Sequence, residues 1–241
     1  CDASPFPKSP WGRCTSKGNR LYLHIFDWPD DRVLEVPGLK TKVTKAYLLN
    51  RPGDVHFAQR TDGLRVKLPP IAPDLADTVL VLDLAGQPQV DQAVRPEPDG
   101  VIALTADRAV IHGTSARVET KRDQNGRVAP NIGYWVNAGD WVEWEMVVQQ
   151  AGEYEVTVEW ANDKGTGGNQ IEIRFSAADS PEAVVAKLTW EPAETGSWET
   201  FSRQTLGTVR LSRGRYVVAV KPAKMKAFAV TNLRGLWLKP R

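Results

Sequence analysis

Trp141-Val-Glu-Trp-Glu-Met-Val-Val148 is the stretch on which the fold turns. Its apolar residues recur every second position, so Val142, Trp144, Met146 and Val148 share one face while Glu143 and Glu145 share the other. A period of two with one dry and one wet face belongs to an antiparallel strand. After Gln149-Gln-Ala-Gly152, a connection suited to a hairpin, the pattern repeats: Tyr154, Val156, Val158 and Trp160 alternate with Glu153, Glu155, Thr157 and Glu159. Working outward, residues 171–175, 207–211, 216–220 and 233–238 continue the meander. Toward the N-terminus, 21–26, 33–36, 43–49, 64–68 and 78–84 are short runs of β-branched, aromatic or Leu residues separated by Pro-Asp, Pro-Gly and Asp-Gly turns. No stretch suggests a βαβ unit. The predicted fold class is all-β, as two antiparallel β-sandwich (jelly-roll-like) domains.

The division between them is read from composition. Seven of the nine tryptophans fall after position 130, so the two halves differ in chemistry. Between them, Gly86-Gln-Pro-Gln-Val-Asp-Gln-Ala-Val-Arg-Pro-Glu-Pro-Asp-Gly100 holds three prolines that break any hydrophobic period. The predicted organisation is a first domain over 1–86, a Pro-rich linker over 87–100 and a second domain over 101–241. A length of 241 residues accommodates one or two domains.

Charge and cysteine content exclude several classes. Thirty-one Lys plus Arg against 29 Asp plus Glu leave +2, which disfavours disorder and a polybasic arm, so no nucleic-acid partner is expected. No apolar run approaches the ~20 residues of a membrane span, and CDASPFPKSP lacks the pattern of a signal peptide, so any export signal is expected outside this stretch. Cys1 and Cys14 allow at most one bridge and no C-x-x-C site. His24, His56 and His112 show no ligand spacing and read as packed or solvated, and Asp27-Trp-Pro-Asp-Asp31 reads as turn chemistry.

Three segments of the first half, Ser4-Pro-Phe-Pro-Lys-Ser-Pro-Trp-Gly-Arg-Cys-Thr15, Leu21-Tyr-Leu-His-Ile-Phe-Asp-Trp-Pro29 and Leu68-Pro-Pro-Ile-Ala-Pro-Asp-Leu-Ala-Asp-Thr-Val79, resemble the C-terminal β-sandwich of bacterial α-L-fucosidases of glycoside hydrolase family 29. The resemblance implies that residues 1–15 connect a catalytic (β/α)8 barrel to the sandwich. Such a barrel takes at least ~200 residues and carries the family's catalytic carboxylates, so no catalytic residue is assigned here and this chain is expected to be inactive alone.

The second half, through Asn131-Ile-Gly-Tyr-Trp135, Gly139-Asp-Trp-Val-Glu-Trp144, Ala151-Gly-Glu-Tyr-Glu-Val156, Thr195-Gly-Ser-Trp198, Leu206-Gly-Thr-Val209 and Asn232-Leu, resembles carbohydrate-binding modules of families 6 and 35. The resemblance implies that Tyr134 and Trp198 flank a sugar ring and Asn232 hydrogen-bonds it. A pyranose presents C–H faces to aromatic rings and hydroxyls to a few polar groups, which suits that trio. The glycine-rich Asn162-Asp-Lys-Gly-Thr-Gly-Gly-Asn169 loop is read as a further edge of the site. Trp144, Trp160 and Trp237 read as core. Trp141 is out of phase with Trp144, Trp198 follows a turn, and either Tyr134 or Trp135 is the buried partner of the other.

Related modules hold a structural Ca2+ through an acidic residue of an Ala-Glu-Asp-like start and another of a final Asn-Leu-Asp. Here those stretches read Ala106-Asp107-Arg108 and Asn232-Leu233-Arg234. Replacing an oxygen ligand by a guanidinium argues against Ca2+, an Asp107–Arg234 ion pair is expected instead, and no cofactor is expected. The function implied is the non-catalytic C-terminal portion of a secreted or periplasmic α-L-fucosidase, with glycan and the parent barrel as partners. Two alternatives stand beside it: a ligand-free interaction or spacer domain, and a lipoprotein anchored at Cys1.

Overall fold

The computed structural model describes residues 4–6, 11–51, 53–60, 63–74 and 76–241. It divides into two compact units, Cys1–Gln92 and Ala93–Arg241. Among the described residues there is no α-helix, only a 3-10 turn at Ala106–Arg108, and no helix is long and apolar enough to cross a membrane.

The first unit contains β1 (Gly12–Lys17), β2 (Arg20–Ile25), β3 (Val33–Pro37), β4 (Val43–Leu48), β5 (His56–Arg60), β6 (Gly63–Lys67) and β7 (Thr78–Leu84). A four-stranded sheet, β1-β2-β7-β4, and a three-stranded sheet, β3-β6-β5, enclose its core. Alternate residues of each strand, such as Leu21, Leu23 and Ile25, point inward and pack with Leu34, Val36 and Leu64. Cys14 is a free thiol in this core, and burial pushes its pKa up to about 11. Cys1, and with it the lipoprotein reading, lies outside the described residues.

The second unit contains β8 (Ile102–Thr105), β9 (Val110–His112), β10 (Arg117–Arg122), β11 (Val128–Gly133), β12 (Trp141–Val148), β13 (Gly152–Ala161), β14 (Gln170–Ala177), β15 (Ser180–Trp190), β16 (Ser202–Leu211), β17 (Gly214–Lys224) and β18 (Asn232–Pro240). One sheet runs β10-β11-β18-β13-β16, with β8 also on β18; the other runs β15-β14-β17-β12-β9. All pairings are antiparallel. Between the sheets lie Trp144, Met146, Val156, Val158, Ile173, Phe175, Val218 and Leu236, all with no exposed surface. β8 pairs with residues 235–238 of β18 while β11 meets it at Ile132↔Leu233, so the two share one edge of β18 end to end.

The stretch read as a linker is fastened on either side of the division. Asp91 N–H donates to Gly38 O and Lys40 N–H to Gln89 O, while Val94 N–H donates to Glu145 O and Val147 N–H to Val94 O. Proline removes donors only at 88, 96 and 98, and the residues between keep theirs.

Trp237 corrects its sequence reading. Its neighbours Leu236 and Leu238 are buried, so the period of two puts the Trp237 ring on the outer face, where the Arg203 guanidinium lies 4.9 Å from its centre. Trp144 and Trp160 are buried, the latter edge-on to Trp190 at 5.4 Å. Trp141 is half-buried on the outer face, stacked on His112 at 3.8 Å with Lys221 over its ring.

Candidate functional site

The site forms where β11 ends beside the start of β18. Register sets Gly133 beside Arg117 and Asn131 beside Glu119. Position 133 has no room for a side chain: a Cβ would collide with Glu119 Oε1 and stand 3.0 Å from Asn232 Oδ1. Glycine is required there because two oxygen acceptors occupy the space. The next residue, Tyr134, has φ 55°, the left-handed region that a non-glycine residue rarely takes. That twist turns its ring outward, 54% exposed, and sends Trp135 inward. Trp135 is the buried partner, its indole N–H donating to Asp140 O at 3.1 Å. The Arg117 guanidinium lies 3.6 Å from the Tyr134 ring centre, within cation–π range.

Trp198 is half-buried on the loop before β16, and that loop is held at several points. Asn232 Nδ2 donates to Trp198 O at 3.0 Å, Lys121 reaches Glu199 at 3.3 Å, and Gln124 exchanges side-chain hydrogen bonds with the Phe201 backbone. One N–H of the Asn232 amide is therefore spent on the loop, while its Oδ1 faces Gly133.

Tyr134, Trp198 and Asn232 come together around one cavity of about 200 Å3, walled also by Glu119, Lys121 and Phe228. The Phe228 ring is 70% exposed, so the cavity has a third aromatic edge that no sequence motif announced. Glu119 accepts from Asn131 Nδ2 at 3.1 Å and lies 3.6 Å from Lys121.

The glycine-rich loop read as an edge of the site does not line this cavity; instead its two asparagines pin the loops that do. Asn162 O accepts from the N–H groups of Thr195 and Gly196, ahead of Trp198. Buried Asn169 donates to Ala229 O and accepts from the N–H groups of Lys226 and Ala227, beside Phe228. At Asn169 a short side chain that bonds backbone stands in for secondary structure.

Asp140 anchors the loop between β9 and β10. Its carboxylate accepts from the Thr114, Ser115 and Ala116 N–H groups and from the Ser115 hydroxyl. Burial alone would raise its pKa, and these hydrogen bonds outweigh it and hold the group at about 2.

The expected Asp107–Arg234 pair is replaced by another. Arg234 is the extra residue of a bulge opposite Glu159/Trp160, and it binds Asp123 at 2.7 Å and Glu159 at 2.9 Å with its plane 3.8 Å from the Phe201 ring centre. The hydrogen bond from Arg234 lowers the Asp123 pKa; for Glu159, burial opposes and the hydrogen bonds from Arg234 and Arg203 prevail, so it too is lowered. A Ca2+ ligand set does not fit this stretch, since the guanidinium supplies no oxygen and occupies two of the nearby carboxylates. Among the described residues, no group of three His, Cys, Asp or Glu is arranged to hold a metal.

A two-sheet sandwich with an aromatic, polar-floored cavity at a loop end is the build of a ligand-binding module. The sequence profile of the carbohydrate binding module (family 6) matches residues 109–239, more than half of the chain, and the chain belongs to that family. Among solved structures, a family 35 carbohydrate binding module from Clostridium thermocellum is similar at 18% identity and TM-score 0.47, over 58% of this chain and 98% of its own. The family 6 module CBM6cm-2 from Cellvibrio mixtus lichenase 5A, in complex with cellotriose, is 20% identical with TM-score 0.43, over 58% and 96%. The α-L-fucosidase from Vibrio sp. strain EJY3 is similar over 99% of this chain at 16% identity and TM-score 0.50, and the chain spans 41% of its length.

Proposed function

We propose that the second unit binds glycan in the cavity of Tyr134, Trp198 and Asn232, and that the chain is the non-catalytic portion of a secreted α-L-fucosidase of the family 29 type. The observation that carries the binding reading is the convergence of three aromatic edges on a floor of two oxygen acceptors, Glu119 and Asn232 Oδ1. The rings offer apolar faces for C–H groups and the acceptors take sugar hydroxyls. A cavity of about 200 Å3 suits one ring at the end of a glycan rather than a long buried chain. The parent-enzyme reading is supported by the three fucosidase-like motifs of residues 4–79 and by the likeness of both units together to part of one fucosidase.

Calorimetry with fucose, galactose, xylose and uronic-acid oligosaccharides tests the first reading. Trp198→Ala is expected to abolish measurable binding, since stacking buries apolar area at roughly 25 cal/mol per Å2. Asn232→Ala, losing an acceptor worth about 0.5–1.5 kcal/mol, is expected to weaken it less. Absence of binding to the whole panel would favour a spacer domain. For the parent-enzyme reading, the chain alone is expected to leave an aryl α-L-fucoside intact; turnover lost on mutating one of its own carboxylates would overturn it.

A further inference from the structure

The first unit carries a hollow of about 290 Å3 where the end of β4, the loop after it, the start of β5 and the end of β6 meet. Arg51, His56 and Lys67 line it. Among the described residues none of these three side chains has a hydrogen bond or ion pair. Asp54, the one carboxylate of the hollow among the described residues, is paired with Lys45 at 3.3 Å. His56 and Lys67 are direct cross-strand partners, so an imidazole N–H donor and an ammonium stand side by side in register. Beside them the hollow is lined by Val55 and Pro69, both partly exposed.

We propose that this hollow is an oxyanion-binding site that takes a sulfate or carboxylate group carried on a sugar. The guanidinium of Arg51 offers a planar fork matched to two oxygens, and the Lys67 ammonium adds a point charge. An anion placed between Lys67 and His56 meets the charge of the ammonium and an N–H of the imidazole. The partly exposed Val55 and Pro69 receive the C–H face of the ring that bears the group, which a bare ion would leave uncovered. The site lies wholly in the first unit and does not rest on the glycan reading of the second.

The test titrates the 15N-labelled full chain, in the Trp198→Ala background, with galactose 6-sulfate, galacturonic acid, inorganic sulfate and galactose at low ionic strength. Shifts at the amides of Val55, His56 and Lys67 are expected with the sulfated or the carboxylated sugar, and at least tenfold weaker binding with galactose. The substituent that binds tighter identifies the group the site reads. Arg51→Gln combined with Lys67→Gln, both at exposed positions, is expected to weaken anion binding at least tenfold. Equal binding of galactose, anion binding unchanged in the double variant, binding of inorganic sulfate as tight as that of the sulfated sugar, or no shift with any probe would each overturn the proposal.

Discussion

Tyr134 shows how one backbone angle distributes two adjacent aromatics. Because its φ is 55°, the chain reverses the alternation expected of β11 and sets Tyr134 at the cavity and Trp135 in the core. The sequence left that choice open, since an aromatic pair in alternating phase looks the same whichever member is buried. That Tyr134, Trp198 and Asn232 line one cavity was legible as a grouping, because motif resemblance names positions. Phe228 was not, because it reaches the cavity from a loop that no motif marks. Gly133 is the most constrained position at the site: Gly133→Ala is expected to cost about 1–3 kcal/mol of stability by overpacking and to weaken glycan binding, readable by urea denaturation and calorimetry together. Asp140 sets an acid limit. Its pKa falls from an ordinary 3.8 to about 2 on folding, so its contribution is complete above about pH 4 and is lost as pH drops toward 2. Asp140→Asn is expected to flatten the stability-against-pH curve in that window while leaving its shape at neutral pH unchanged; an identical acid limb in the variant would contradict the assignment.

At the scale of the strand, legibility followed burial in the long strands, while the short β8 and β11 went unread although both bury core residues. β12 and β13, each with one face in the core, were read from alternation alone. β10 and β15 escaped because they are edge strands exposed along nearly their whole length, so no apolar period marks them. β1 escaped because Cys14 and Ser16 are poor hydrophobic markers, and β5 because its residues are mostly exposed. Trp237 was misread because size suggests core, whereas phase decides it: the flanking leucines are the inward pair. The tryptophans give the contrast to measure. Trp144→Ala and Trp160→Ala are expected to cost roughly 3–5 kcal/mol in chemical denaturation as buried rings. Trp237→Ala, losing an outer-face ring beside Arg203, is expected to cost clearly less, and a cost equal to that of Trp144 would restore the core reading.

Each unit has its own hydrophobic core, built from residues 6–84 in the first and 94–238 in the second. A fragment of residues 93–241 is therefore expected to fold and to keep the glycan affinity of the whole chain. Trimming it to the family-matched residues 109–239 removes β8, whose Ile102 and Leu104 are fully buried, and takes Thr105 O from the Trp144 indole. At 2–5 kcal/mol for each large side chain lost, the shorter fragment is expected to melt far lower or not to fold, as far-UV circular dichroism against temperature would report. The Arg234 cluster has a consequence for the medium in which such a unit works. A cation that belongs to the polypeptide is delivered at one copy per chain, at any dilution, and no chelator or rival ion can take it. Its two carboxylate partners, Asp123 and Glu159, are met when the last strand docks, so a chelator added to the folded chain is expected to leave its melting temperature unchanged.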